Sequence, residues 1–206
     1  GVPNMTAEEW CKRYKLICAI NAGMFQADGR TNVGYMKNYK FINNPRVNHV
    51  YKSMAAFAPH DSKSPPFRIY DLDVHDAKEV ISSYNIVIQN LRLIKRPGEN
   101  RWSQQNKRWS EAALGEDKEG NVLFIFSRSP YSMHDLNNTL LKLPIGLVAA
   151  QHLEGGPEAS LYFSYKGRTI RLFGSYETAF NENDSNSYFW PIPNIIGFVK
   201  ADNLLK

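Results

Sequence analysis

What most constrains this chain is the brevity of its apolar runs. Residues 16–20, 33–36, 39–42, 53–58, 67–72 and 85–94 are short, rich in β-branched or aromatic side chains, and bounded by Gly, Asp, Asn or Pro. Such runs read as strands closed by turns. Residues 111–115 and 122–127 flank the turn-forming 117–121, and residues 160–165 and 169–173 flank Lys166-Gly167, so each pair predicts a hairpin. Residues 195–199 read as a closing strand, and the polar residues 182–187 as a surface loop.

Helices are few. Thr6 and Glu9 have the spacing of a capping box and predict a helical lead-in over 1–15. Ser132 and Asp135 repeat that pattern, and Met133, Leu136, Leu140 and Leu143 follow at helical spacing until Pro144 stops the helix. The alternation of helix and strand is too irregular for a doubly wound parallel fold. The expectation is therefore an α+β chain, a single domain over 1–206, with a mixed, strongly twisted β-sheet core and a few short flanking helices. With 206 residues and 43% hydrophobic positions, one well-buried core is within reach.

Several chemistries drop out. There is no P-loop, no dinucleotide fingerprint and no HExxH among the five histidines. Cys11 and Cys18 are the two cysteines and have no CxxC partner, so no zinc ribbon is encoded, while a disulfide between them stays open. No apolar run approaches the roughly 18 residues of a membrane span, and no signal peptide follows Gly1, so the expectation is a soluble chain without a transmembrane segment. The formal charge of +5 is spread along the chain without a basic run, which argues against nucleic acid as a partner. A single-strand module built on Trp102, Trp109, Arg101, Lys107 and Arg108 is the weaker option.

Three segments can carry chemistry. NAGMF at 21–25 puts the amide of Asn21 at a strand end, followed by Gly23. SRSPYSMH at 127–134 puts Arg128 at a strand terminus and His134 in the first turn of a helix, a setting suited to an anion. LEGGPEAS at 153–160 sets Glu154 before Gly155-Gly156, where a ligand can approach the backbone, with Glu158 as a second carboxylate. Gln89 and Arg92 add a polar cluster at a strand end. Each also has an ordinary structural reading as a turn, a surface ion pair or a strand edge. No cofactor is required; Asp28, Asp71, Asp73 and Glu154 offer oxygen ligands for Ca²⁺ or Mg²⁺ but lack the spacing of a calcium loop.

Taken in order, these segments resemble the phosphodiester glycosidase family. NAGMF is similar to the family's NGGFF, and Glu154-Gly155-Gly156-Pro157-Glu158 to its DGGGS, with the serine displaced to Ser160. Asp117, Gly120 and Val122, then Arg128 and the amphipathic helix, lie between the two motifs. Glu154 stands where the family has Asp, Pro157 where it often has Gly, and Ala22 in place of a glycine. The resemblance implies hydrolysis between a sugar anomeric carbon and a phosphodiester in a cell-envelope or extracellular glycan. It likens the chain to shorter bacterial, periplasmic or secreted members. It also implies roles: Arg128 and Arg92 on phosphate, Glu154 on water or the positive ring, His134 as proton carrier. Asn21, Gly23, Gln89, Ser160 and the Gly155-Gly156 backbone would hold the sugar. The alternative is a non-catalytic carbohydrate-binding protein on the same fold, with Trp102, Trp109 and Trp190 stacking on sugars.

Overall fold

A computed structural model describes residues 4–200. The chain runs through α1 (Ala7–Tyr14), β1 (Cys18–Asn21), β2 (Met36–Asn38), β3 (Phe41–Asn44), β4 (Ser53–Pro59), β5 (Phe67–Asp71), α2 (Ala77–Ser83), β6 (Tyr84–Asn90) and β7 (Arg92–Lys95). It continues through β8 (Glu99–Asn100), β9 (Trp109–Asp117), β10 (Val122–Tyr131), α3 (Met133–Lys142), β11 (Leu147–Gly155), a short 3₁₀ turn (Gly156–Glu158), β12 (Ser160–Tyr165), β13 (Arg168–Phe173) and β14 (Ile195–Phe198). The expected mixed sheet is replaced by three sheets, of order β13-β12-β1-β14, β10-β9-β11-β7-β8 and β3-β2-β6-β4-β5. Every pairing between named strands is antiparallel, because the connections are hairpins and loops rather than helical crossovers.

The three sheets share one core. Ile20 and Leu161 from the first, Leu114 and Leu153 from the second, and Ala55 and Ile69 from the third pack in a single buried cluster. Ile20, Leu114 and Leu153 are fully buried, and burial of a side chain of this size stabilises the fold by about 1.5–3 kcal/mol. On its other face the third sheet packs Met54, Ala56 and Val87 against Val80 of α2. The second sheet packs Leu93 and Ala113 against Met133, Leu136 and Leu140 of α3.

The capping box at Thr6 is present, with both reciprocal hydrogen bonds, and Ser132 caps α3 as its sequence predicts. The first three residues of the expected lead-in and residues 201–206 lie outside the described residues. The run 85–94 is broken rather than continuous. The Asn90 side chain accepts the N–H of Leu91 and the Leu91 carbonyl accepts the N–H of His152, so β6 and β7 belong to different sheets. The runs 33–36 and 39–42 leave Lys37-Asn38 between them as the expected turn, but the hairpin turns at Tyr39-Lys40, with Tyr39 at φ +52°, which places Lys37 opposite Val87 and buries Met36 beside Ile88. Helix α2, which no apolar period announces, is started by the Asp76 carboxylate accepting the N–H of Lys78 and Glu79. Cys11 and Cys18 are both free and buried.

Candidate active site

β11 carries His152, Glu154 and Gly155 out of the core alongside β9, which carries Glu111 and Trp109. The pairing runs His152 with Ala113, Glu154 with Ala112 and Gly155 with Glu111, so the register slips between His152 and Glu154. Such a bulge bends the strand and re-aims the side chain beyond it. The fully buried Glu111 carboxylate has its oxygens 2.7 and 2.9 Å from His152 Nδ1, and Oε2 also accepts Trp109 Nε1 at 2.6 Å. This fixes the imidazole, whose Nδ1 faces Glu111 and whose Nε2 makes no hydrogen bond among the described residues.

The turn that follows collects further carboxylates. Glu154, 7% exposed, accepts a hydrogen bond from its neighbour's Gly155 N–H at 3.1 Å. Burial, followed by the charge of Glu158, raises its carboxyl well above the usual carboxylate range. Burial raises Glu158 and Glu177 as well, with Glu177 adding to the effect on Glu158. Burial likewise raises Glu111, opposed by His152. Glu158 and Glu177 are only half-buried and give the cluster a route to solvent.

Glycines make the closeness physical. A Cβ on Gly155 would stand 2.8 Å from Trp109 Cδ1, so the indole lies directly against this backbone. Gly156 has φ +61°, and a Cβ there would stand 2.4 Å from Glu177 Oε2. Glu177 is delivered by the segment after β13. Ser110 Oγ donates to the Arg128 carbonyl at 2.6 Å and accepts the N–H of Ser175 and Tyr176 at 3.0 and 3.3 Å.

Asn21, at the end of β1, joins this site as a clamp. Its Nδ2 donates to the Glu158 carbonyl at 3.0 Å and its Oδ1 accepts the Ser160 N–H at 2.7 Å. Ser160 Oγ also donates to the Glu158 carbonyl, at 3.1 Å. Gly23 follows in the same turn, where a Cβ would stand 2.4 Å from Asn32 Oδ1 and 3.1 Å from Asn90 Nδ2. Asn90 Nδ2 in turn donates to the Leu153 carbonyl at 3.4 Å, next to Glu154. The Asn21 and Glu154 segments are thus brought together, but the Asn21 amide is occupied with backbone.

Four expected residues have other work. Arg92 Nη1 is 2.7 Å from both Asp71 and Asp73, balancing the buried Asp71 rather than awaiting phosphate. The Gln89 amide is spent on the backbone of Tyr35, Asn48 and Tyr51. His134 Nδ1 donates to the Trp102 carbonyl at 2.6 Å while Nε2 accepts from Asn138 Nδ2 at 2.9 Å, so both ring nitrogens are occupied. The Arg128 guanidinium donates to the carbonyls of Phe173, Asp184 and Asn186 and pairs with the Asp184 carboxylate, which anchors the segment bearing Glu177.

The oxygen donors considered for a cation are dispersed in role. Asp28 caps its own turn at Arg30 and Thr31, and Asp71 and Asp73 serve Arg92. Among the described residues no group of three or more His, Cys, Asp or Glu side chains is arranged to hold a metal. Trp102 packs edge-on to Trp109 at 6.3 Å between ring centroids and donates to the Arg92 carbonyl, so neither indole is a free stacking platform.

Glu111, His152 and Glu177 were not singled out by the sequence. A local sign existed for two of them. Glu111 interrupts the apolar run of β9, and His152 stands two residues before Glu154 within a run too apolar to leave it in water. Glu177 carries no such sign.

Comparison with solved structures places this arrangement in a known fold. The catalytic domain of zebrafish N-acetylglucosamine-1-phosphodiester alpha-N-acetylglucosaminidase, auto-inhibited by its pro-peptide, superposes with a TM-score of 0.60 at 17% identity, over 95% of this chain and 66% of that one. A hypothetical protein from Synechocystis superposes with a TM-score of 0.58 at 12% identity, over 95% of this chain and 54% of that one. This chain therefore spans less than two thirds of either structure. No match was found among curated proteins. No helix among the described residues is long and apolar enough to cross a membrane. The phosphodiester glycosidase family model matches residues 14–199, and with nearly the whole chain inside that match, the chain belongs to the phosphodiester glycosidase family.

Proposed function

We propose that the chain hydrolyses the bond between a sugar anomeric carbon and a phosphodiester, in a cell-envelope or extracellular glycan-phosphate met outside the cytoplasm. The observation that carries this reading is the convergence of Glu154, Glu158 and Glu177 on one glycine turn beside the Glu111–His152 pair. Breaking the anomeric C–O bond of a sugar phosphodiester leaves an oxocarbenium-like sugar, which water then attacks, and releases a phosphate monoester anion that needs little protonation. The site's task is then to handle positive charge on the ring and to activate water. In this reading the partly exposed Glu158 and Glu177 carboxylates face the ring carbon. His152, oriented through Nδ1 by Glu111, presents Nε2 as the group that takes the proton of the attacking water.

In this scheme Glu154, held protonated by burial and its acidic neighbours, acts as a hydrogen-bond donor toward substrate oxygen. Asn21 and Ser160 hold the Glu158 backbone and so position that carboxylate. Lys107, whose charge reaches Glu177, is a candidate contact for the phosphate. The test is release of reducing sugar from soluble hexose 1-phosphodiesters by the intact chain and by His152→Asn and Glu154→Gln. Loss of turnover in both folded variants supports the scheme. Full turnover in Glu154→Gln removes that residue from it, and binding of the diesters without hydrolysis by the unaltered chain favours the non-catalytic alternative.

A further inference from the structure

The third sheet carries an open cleft on the face turned away from the acidic turn. In β6, Asn90 and Ile88 point toward the shared core and the Glu154 side, while Gln89 and Val87 point to the opposite face. On that opposite face lies the cleft, of about 270 Å³, between residues 47–52 and 72–78. Val47, Leu72 and Ala77 belong to the apolar cluster beneath it, and Tyr51 supplies a ring. Its rim carries His49, Lys52, His75 and Lys78. The one acid in the lining, Asp76, is spent on capping α2.

Two features make this cleft more than a patch of surface lysines. Its wall is pinned from inside: buried Gln89 Nε2 donates to the carbonyls of Asn48 and Tyr51 at 2.7 and 2.8 Å, while its Oε1 accepts the Asn48 N–H at 2.8 Å. The Leu72 N–H donates to the Lys52 carbonyl at 3.0 Å, tying the two walls together. Among the described residues the Lys78 ammonium has no carboxylate partner and the ring nitrogens of His49 and His75 have no hydrogen bond, whereas Lys52 is 3.6 Å from Asp73. A preformed wall lowers the ordering cost of binding, and the unpartnered Lys78 ammonium leaves its charge unspent.

We propose that this cleft binds a phosphorylated monosaccharide, its ring over Val47, Leu72 and Tyr51 and its phosphate between Lys52 and Lys78. The volume lies just below the range of about 300–1,000 Å³ usual for small-ligand sites, which suits one sugar ring and not a longer glycan. A phosphomonoester carries about −1.5 to −2 charge at neutral pH, matching a rim with two lysines better than a carboxylate does. The inference is independent of the glycosidase reading, since none of its residues belongs to the acidic turn.

The test is an amide-resolved NMR titration of the intact chain with glucose 6-phosphate, glucuronate and glucose. Glucose 6-phosphate is expected to shift amides within 47–52 and 72–78 to saturation, with glucuronate weaker and glucose silent. Lys52→Gln/Lys78→Gln should weaken binding about tenfold or more. Glu154→Gln should leave it unchanged. If the double variant unfolds, Lys78→Gln alone is decisive, because its ammonium has no ion pair to lose. Absence of shifts in both segments, equal binding by the variant, equal binding of glucuronate, or shifts confined to 154–158 would each overturn the proposal.

Discussion

His152 Nδ1 lies 2.7 and 2.9 Å from the two carboxylate oxygens of Glu111, with Glu111 fully buried and His152 only 3% exposed. A buried pair of this kind is costly to break from one side, because the remaining partner keeps its desolvation cost without its attraction. Glu111→Ala is expected to lose about 3–5 kcal/mol of stability, seen as a lower denaturant midpoint. Glu111→Gln preserves volume and a partial hydrogen bond to the imidazole, and should fold while losing roughly 10- to 100-fold in turnover as His152 loses its orientation. Wild-type turnover in folded Glu111→Gln would show that the pair serves only packing.

The second prediction concerns Gly156. Its φ of +61° is a left-handed conformation, and a Cβ there would press on Glu177 Oε2 at 2.4 Å and Glu177 Cβ at 3.1 Å. Gly156→Ala should therefore cost about 1–2 kcal/mol from backbone conformation, a fall in Tm of about 2–8 °C. It should also displace Glu177 and lower turnover more than its stability change explains. Thermal melts paired with kinetics on the folded fraction separate the two effects.

What was legible in the sequence was local. The NAGMF and LEGGPEAS turns, the capping box at Thr6, the Ser132 cap of α3 and the hairpin across Lys166-Gly167 each depend on residues a few positions apart, and each is present, although Asp135 bonds the Ser132 hydroxyl rather than its backbone N–H and so leaves the second capping box half made. The roles of Arg92 and Gln89 were hidden because their partners are remote: Asp71 is 21 residues from Arg92, and Asn48 is 41 from Gln89. Glu111 and His152 meet only because β9 and β11 pair in one register, and Glu154 is re-aimed by a bulge that alternation of side chains does not encode. The run 85–94 looked like one strand because apolar pattern cannot report a change of sheet at Leu91.

Arg92 offers a third prediction. With its guanidinium shared between Asp71 and Asp73, its removal strands Asp71 as a buried charge, with Lys95 more distant at 3.7 Å. Arg92→Met should destabilise the protein by about 3 kcal/mol. The KM of the folded fraction for a sugar phosphodiester should stay unchanged. A stable variant with a raised KM would restore Arg92 to the phosphate.

Glu154 gives the last prediction, in which site chemistry and stability pull in opposite directions. Its folded carboxyl is raised well above the ordinary carboxylate value of about 4.5, first by burial and then by the charge of Glu158. Between its unfolded and folded values the folded chain holds a proton that the unfolded chain releases. Stability from this group is therefore full below about 4.5 and is lost as pH rises toward the folded value. Glu154→Gln removes both the titration and the charge while keeping the shape. The variant should match wild type near pH 4 and melt higher by roughly 2 °C or more at pH 8, while losing turnover. Such a gain is expected where an active site holds like charges together at the expense of the fold. Parallel melting curves across that range, with no widening gap toward high pH, would show that Glu154 is not held protonated.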